Sequence, residues 1–249
     1  MSGTIAIVTG ASRGLGAQLA RQLAGSVQQL ITVSRHQDEQ TAELAQASGC
    51  QHDPYAHDLS DVQHIEAAAL GIFAVLNKTA SRYLLINNAG SLGPVGQYNT
   101  LSDAHAVSAT FNLNVTSAML LTTALLRATE GLDAEVRVIN ISSGAGRSPT
   151  AGWGVYCATK AALDMYTRVA RLEAPHARLV SLAPGVIDTN MQADIRASKP
   201  DDFPDLARFT TLNETGALAS PQSVAEKIIR YLNSAEFASK ELDDIRQYN

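Results

Sequence analysis

The sequence predicts an α/β protein, a single doubly wound domain whose parallel sheet of about seven strands is flanked by helices. Three observations carry this prediction. Short β-branched apolar runs alternate with stretches of helical spacing along most of the chain, the pattern of strands buried on both faces and joined by crossover helices. A glycine-rich turn lies between the first such run and the first helix. Polar segments bearing Gly, Asn or Ser follow the strands, where open parallel sheets collect their ligands. At 249 residues and 45% hydrophobic content the chain can bury one large core. No internal repeat, low-complexity tract or linker divides it, so residues 1–249 read as one domain.

The elements follow in order. Residues 4–9, Thr-Ile-Ala-Ile-Val-Thr, are a buried strand bounded by Gly10. Gly10-Ala11-Ser12-Arg13-Gly14-Leu15-Gly16 is the turn, and helical spacing begins by Ala17. Residues 30–33 form the second strand, ending at Ser34-Arg35. Residues 37–48 read as helix. Residues 50–57 are a poor strand because Pro54 interrupts them. Asp58-Leu59 then precede a helix over about 61–77. Residues 82–86 are a strand that ends in Asn87-Asn88-Ala89-Gly90. A long helical pattern runs from Phe111 through Asn114 to about Thr129. Strand 135–141 ends at Ser142-Ser143, the helix of Tyr156 and Lys160 follows, and strand 178–182 leads into Pro184-Gly185. All these polar ends fall at the carboxyl edge of one sheet and should converge on one crevice. Residues 190–216 are polar and read as a loop.

Composition excludes several classes. A net charge of −5 and pI near 5.6 argue against a nucleic-acid or anionic-membrane surface. Met-Ser-Gly-Thr runs straight into a strand, unlike a signal peptide. No apolar run approaches the roughly 18 residues of a membrane span. Cys50 and Cys157 are far apart, and neither they nor the histidines show metal-ligand spacing. His52 and His57 read as surface residues and Cys157 as small buried packing. A cytoplasmic protein with reduced thiols and no metal is expected.

The chemistry is concentrated in Tyr156 and Lys160. Four residues apart on a helix, they share a face. A phenol has a pKa of about 10, and a neighbouring ammonium should lower it toward neutrality. That pair makes a proton donor for carbonyl reduction. The spacing alone also fits a packed Tyr beside a snorkelling Lys. Gly10, Gly14 and Gly16 allow a tight turn and close approach to a pyrophosphate at a helix N-terminus. After the second strand, where an acid would bind the ribose hydroxyls of NAD, stand Ser34 and Arg35 instead. With Arg13 they suit a 2′-phosphate, so NADP(H) is expected over NAD.

Taken together, Thr9–Gly16, Asn87-Asn88-Ala89-Gly90, Asn114, Ser142-Ser143, Tyr156-x-x-x-Lys160 and Pro184-Gly185-x-x-x-Thr189 resemble the motif set of the short-chain dehydrogenase/reductase family, in family order. The resemblance implies a Rossmann-type domain and a catalytic set of Asn114, Ser143, Tyr156 and Lys160. Ser143 is preferred over Ser142 because the family's serine precedes its tyrosine by thirteen residues. It implies that Ser12 and Arg13 touch phosphate, Asp58 and Leu59 flank the adenine, and Asn88, Ala89 and Gly90 the ribose. Ile187 and Thr189, after Pro184 and Gly185, would hold the carboxamide. Lys160 would lower the Tyr156 pKa and bind the nicotinamide ribose, with Asn114 linking it to solvent through a water. Residues 190–216 would be a substrate lid, and the helices of Asn114 and Tyr156 would pair in a homodimer.

Within the family, Leu84–Gly93, Leu113–Ser117, Gly152–Ala158 and Ala183–Gln192 are similar to the subgroup of sepiapterin reductases and reductases of aromatic α-diketones such as benzil. That likeness implies an NADPH-dependent reductase of a dicarbonyl-type ketone, or a broader carbonyl reductase. It places Trp153 beside the substrate, although a core-packed Trp is the alternative. It also matches Asp244, in Leu242-Asp243-Asp244-Ile245-Arg246, to an Asp that anchors a pterin. A dinucleotide sensor that had lost the chemistry is the competing class. The joint presence of Asn114, Ser143, Tyr156 and Lys160 weighs against it.

Overall fold

The computed structural model describes residues 3–248. Seven parallel strands form one sheet in the order β3-β2-β1-β4-β5-β6-β7. They are β1 (Thr4–Thr9), β2 (Gln29–Ser34), β3 (Gln51–Ala56), β4 (Arg82–Asn87), β5 (Glu135–Ile141), β6 (Ala177–Ala183) and β7 (Leu242–Asp244). The order reverses between β1 and β4, so the crevice opens beyond their carboxyl ends. The β-branched runs fill both faces: Ala6 and Val8 enter one core, Ile5 and Ile7 the other. Against the first face pack α1 (Gly14–Ala24) and α9 (Pro221–Asn233). Against the second lie α3 (Val62–Ala74), α5 (Ser117–Ala128) and α6 (Gly154–Glu173). Helix α2 (Glu39–Ser48) begins at Asp38, whose side chain accepts from the Thr41 amide.

Pro54 is accommodated because β3 is an edge strand, paired only with β2. The long helical pattern starts earlier than expected, as α4 (Ala104–Phe111), and then changes to a π turn at Asn112–Thr116 before α5. Those three pieces make a stretch, Ala104–Ala128, that by length and a mean hydropathy of 1.3 is apolar enough to span a membrane. That corrects the expectation of no such run. Its Leu121, Thr122 and Leu125 are nonetheless buried in the domain core. Residues 190–216 are not a plain loop, since α7 (Asn190–Arg196) and α8 (Leu206–Glu214) order them. Buried Ile195, Phe203 and Phe209 supply the apolar anchor that the polar composition concealed. His52 is not a surface residue: it is half-buried on β3, with a ring nitrogen 2.9 Å from Thr32 Oγ1.

Candidate active site

A cleft of about 740 Å³ runs along the carboxyl edge of the sheet. Gly10, Ser12, Arg13, Gly14, Leu15, Gly16, Ser34, Arg35, Asp58, Leu59, Asn88, Ala89, Gly90, Pro184, Gly185, Ile187 and Thr189 all line it, together with Ser143, Trp153, Tyr156 and Lys160. Asn114 and Asp244 do not.

The glycine turn is close-packed. A Cβ on Gly16 would fall 2.2 Å from the Gly10 carbonyl oxygen, and Gly10 itself has φ +67°. Asn88 Nδ2 donates to the carbonyls of Thr9 and Gly10, while Thr9 Oγ1 accepts from the amides of Asn88 and Ala89. The ends of β1 and β4 are thereby locked together. Helix α1 has no side-chain cap and no acid in its first turn, so its leading amides face the cleft without an anion of their own. Arg13 and Arg35 are both exposed at this end. The Ser34 hydroxyl donates to the His36 carbonyl. Uncapped amides, a glycine cradle that a Cβ would fill, and two guanidinium groups fit a dinucleotide with an added phosphate.

Tyr156 and Lys160 enter from the first turns of α6. Lys160 Nζ lies 5.6 Å from the Tyr156 ring centroid and donates to the Ile141 carbonyl at 2.8 Å. Ser143 lies beside the Tyr156 phenol and lowers its pKa, and its hydroxyl accepts from the Ala145 amide. Burial pushes the Tyr156 phenol up to about 12, partly offset by Ser143. The expectation of a lowered phenol therefore does not hold for the protein alone, because desolvation outweighs the lowering by Ser143. Burial brings Lys160 down to about 8, with Asp164 opposing the shift. Tyr156 thus carries its proton at neutral pH, and the ammonium stands ready to stabilise the phenolate that transfer would leave. Asn114 is buried behind this wall in the π turn. Its side chain accepts from the Ser91 amide and donates to the Ser91 carbonyl and Thr159 Oγ1. It sits near Lys160, since a Cβ on Gly90 would lie 3.3 Å from Asn114 Oδ1 and 3.6 Å from Lys160 Nζ.

The far end of the cleft is aromatic. Trp153 stacks on Phe203, with centroids 4.9 Å apart and planes 5° apart, and meets Tyr156 edge-on at 5.7 Å. Phe209 leans on both Trp153 and Phe203. Half-buried Cys157 packs against this cluster. Trp153 Nε1 and Gln192 Oε1 are buried without a protein partner. Asp244 departs from expectation. Arg246 Nε and Nη2 both donate to its carboxylate, and it is Arg246, not Asp244, that lines the cleft beside Gly185. The guanidinium holds the Asp244 carboxyl below its ordinary range. His57 was expected at the surface but lines the cleft, stacked on Tyr55. Sequence reasoning also passed over Gln192 and Arg208; Gln192 was legible only as the end of the Ala183–Gln192 likeness.

Comparison with known proteins agrees with this geometry. The benzil reductase ((S)-benzoin forming) of Bacillus cereus is 36% identical over 241 residues, covering 95% of this chain and 96% of the relative. The sepiapterin reductase of Rattus norvegicus is 38% identical over 250 residues, covering 94% of this chain and 93% of the relative. The crystal structure of the KRED1-Pglu enzyme superposes with a TM-score of 0.80 at 29% identity, over 96% of this chain and 99% of that one. The short chain dehydrogenase family model matches residues 4–200, most of the chain. The protein therefore belongs to the short-chain dehydrogenase family, oxidoreductases that bind a nicotinamide dinucleotide.

Proposed function

We propose that the protein is an NADPH-dependent carbonyl reductase that reduces one carbonyl of a vicinal dicarbonyl, with Tyr156 as proton donor. The observation that carries this reading is the buried phenol of Tyr156 at the cleft wall, with Ser143 beside it and Lys160 Nζ 5.6 Å from its ring centroid. The dihydronicotinamide, when bound, supplies the hydride. Ser143 and Tyr156 hold the substrate oxygen from the same side, and Tyr156 passes it a proton as negative charge develops. Lys160 stabilises the phenolate left behind and binds the nicotinamide ribose. Asn114 holds the wall behind Lys160, on the side from which protons are replaced. Gly10–Gly16 takes the pyrophosphate, Arg13, Ser34 and Arg35 the 2′-phosphate, Asp58 and Leu59 the adenine, and Ile187 and Thr189 the carboxamide.

For the substrate, an aromatic α-diketone fits better than a pterin. Trp153 and Phe209 line the cleft as an aromatic wall, backed by the buried Phe203. The carboxylate that would receive the paired N–H donors of a pterin is already taken by Arg246. The sepiapterin reductase likeness keeps the pterin as the second reading. NADPH oxidation with benzil, sepiapterin and a simple ketone side by side tests the proposal. Turnover of benzil well above sepiapterin is expected; the reverse would reinstate the pterin, and no turnover of any carbonyl would overturn the reductase reading. We further propose a homodimer paired through α5 and α6, supported by the exposed Met119, Leu120, Met165, Val169 and Leu172 on those helices.

A further inference from the structure

The segment that presents Ser143 is held at both ends by one buried carboxylate. Asp164 lies one helical turn beyond Lys160 on α6 and is 4% exposed. Ser142 Oγ donates to Asp164 Oδ1 at 2.6 Å, and Ser181 Oγ on β6 donates to the same oxygen. Arg147 Nε donates to Asp164 Oδ2 at 3.0 Å. Ser142 immediately precedes Ser143, and Arg147 immediately follows the short 3-10 turn Gly144–Gly146. The turn rests directly on α6 at Lys160: a Cβ on Gly146 would stand 2.7 Å from the Lys160 carbonyl carbon. Arg147 continues outward, donating to the Ser181 and Asp243 carbonyls. Asp243 is itself fixed by the hydroxyls of Tyr231 and Tyr248. The C-terminal strand β7 is thus wired to the serine segment.

The geometry points to Asp164 as a positioning residue that sets Ser143 through Ser142 and Arg147 and supplies Lys160 with its counter-charge. This rests on the reading of Ser143 and Lys160 as catalytic groups. The ion pair with Arg147 offsets the cost of burying the Asp164 charge, whereas the two serines alone would be satisfied by a neutral acceptor. The position beside Lys160 gives the charge a use. Asp164 opposes the effect of burial on Lys160 and keeps it protonated to higher pH. The charged and ionisable groups around Lys160 are Tyr156 and Asp164 on its own helix, with Arg147 facing Asp164 from the serine segment. Ser143, Asn114 and Ser181, from the other packed elements, are neutral.

The decisive variant is Asp164→Asn, which keeps the shape and one acceptor but removes the charge. The first readout is a 15Nζ NMR titration of Lys160 in the cofactor-free protein, assigned against Lys160→Arg. The midpoint should fall by about one pH unit, the lower end of the shift caused by a nearby opposite charge. In benzil reduction kcat should drop about tenfold or more, while KM for NADPH changes little, because the group lost orients chemistry rather than binding. Ser142→Ala keeps the charge and should lower kcat with the Lys160 midpoint unmoved. An unmoved Lys160 midpoint in Asp164→Asn overturns the proposal, as does wild-type kcat in Ser142→Ala. Should Asp164→Asn fail to fold, Arg147→Gln replaces it, and wild-type kcat there and in Ser142→Ala overturns the proposal equally. The titration needs neither cofactor nor substrate, so its result stands apart from whether the chain reduces diketones.

Discussion

In the proposed mechanism, Lys160 is the residue whose protonation the reaction feels first. Below about 8 it is an ammonium, and above that it is an amine that cannot stabilise a phenolate. The kcat/KM for reduction should therefore be level below that pH and fall as pH rises through it; a pH–rate profile checks this. Its partner Tyr156, pushed to about 12, keeps its proton across the same range, so the fall belongs to Lys160. On the proposed reading, Arg35 governs a different choice. Each hydrogen bond to a charged group contributes roughly 1.5–3 kcal/mol, so Arg35→Ala should weaken NADPH by about 10- to 100-fold and leave NADH nearly unchanged. Equal loss with both cofactors would make Arg35 a residue of the fold. Tyr156, Lys160 and the glycine turn were legible because their chemistry depends on spacing within one element. Asp244 misled because its meaning depends on Arg246 two residues on, and sequence spacing does not say which of two neighbouring side chains faces the cleft.

At the scale of elements, residues 190–216 are the piece that departed most from its sequence pattern. Residues 190–216 read as polar loop, yet α7 and α8 are pinned by three aromatic rings. Phe203 is fully buried, and truncating a buried Phe costs about 3–5 kcal/mol in a well-packed core. Because its partners Trp153 and Phe209 share its cluster with Ile195 of α7, Phe203→Ala should loosen 190–216 before the sheet. Limited proteolysis should cut within 190–216 faster, with KM for an aromatic substrate raised and the main thermal transition less affected. Unchanged cleavage would show that this segment is held elsewhere. Strands β1, β2, β4, β5 and β6 were legible because parallel strands buried on both faces read as apolar runs, whereas the three-residue β7 was not. The π turn at Asn112–Thr116 was not, since a change of helical hydrogen bonding leaves no mark in hydrophobic periodicity.

For the whole molecule, assembly and reaction are the open questions. Leu172 is 81% exposed and Met165 54% on the outer face of α6, a surface suited to a two-fold partner. Leu172→Glu should shift sedimentation from dimer toward monomer without changing the far-ultraviolet spectrum, and a wild-type monomer at micromolar concentration would contradict the pairing. The reaction is tested most directly by comparing NADPH oxidation with benzil in the wild type and in Tyr156→Phe. That change removes one hydroxyl and keeps the ring that packs on Trp153. General-acid catalysis contributes about 10²–10⁴-fold, so kcat should fall by that much while NADPH binding, read by fluorescence, is retained. A variant that reduces benzil at the wild-type rate would mean that the proton comes from another group, and that Tyr156 is not the donor.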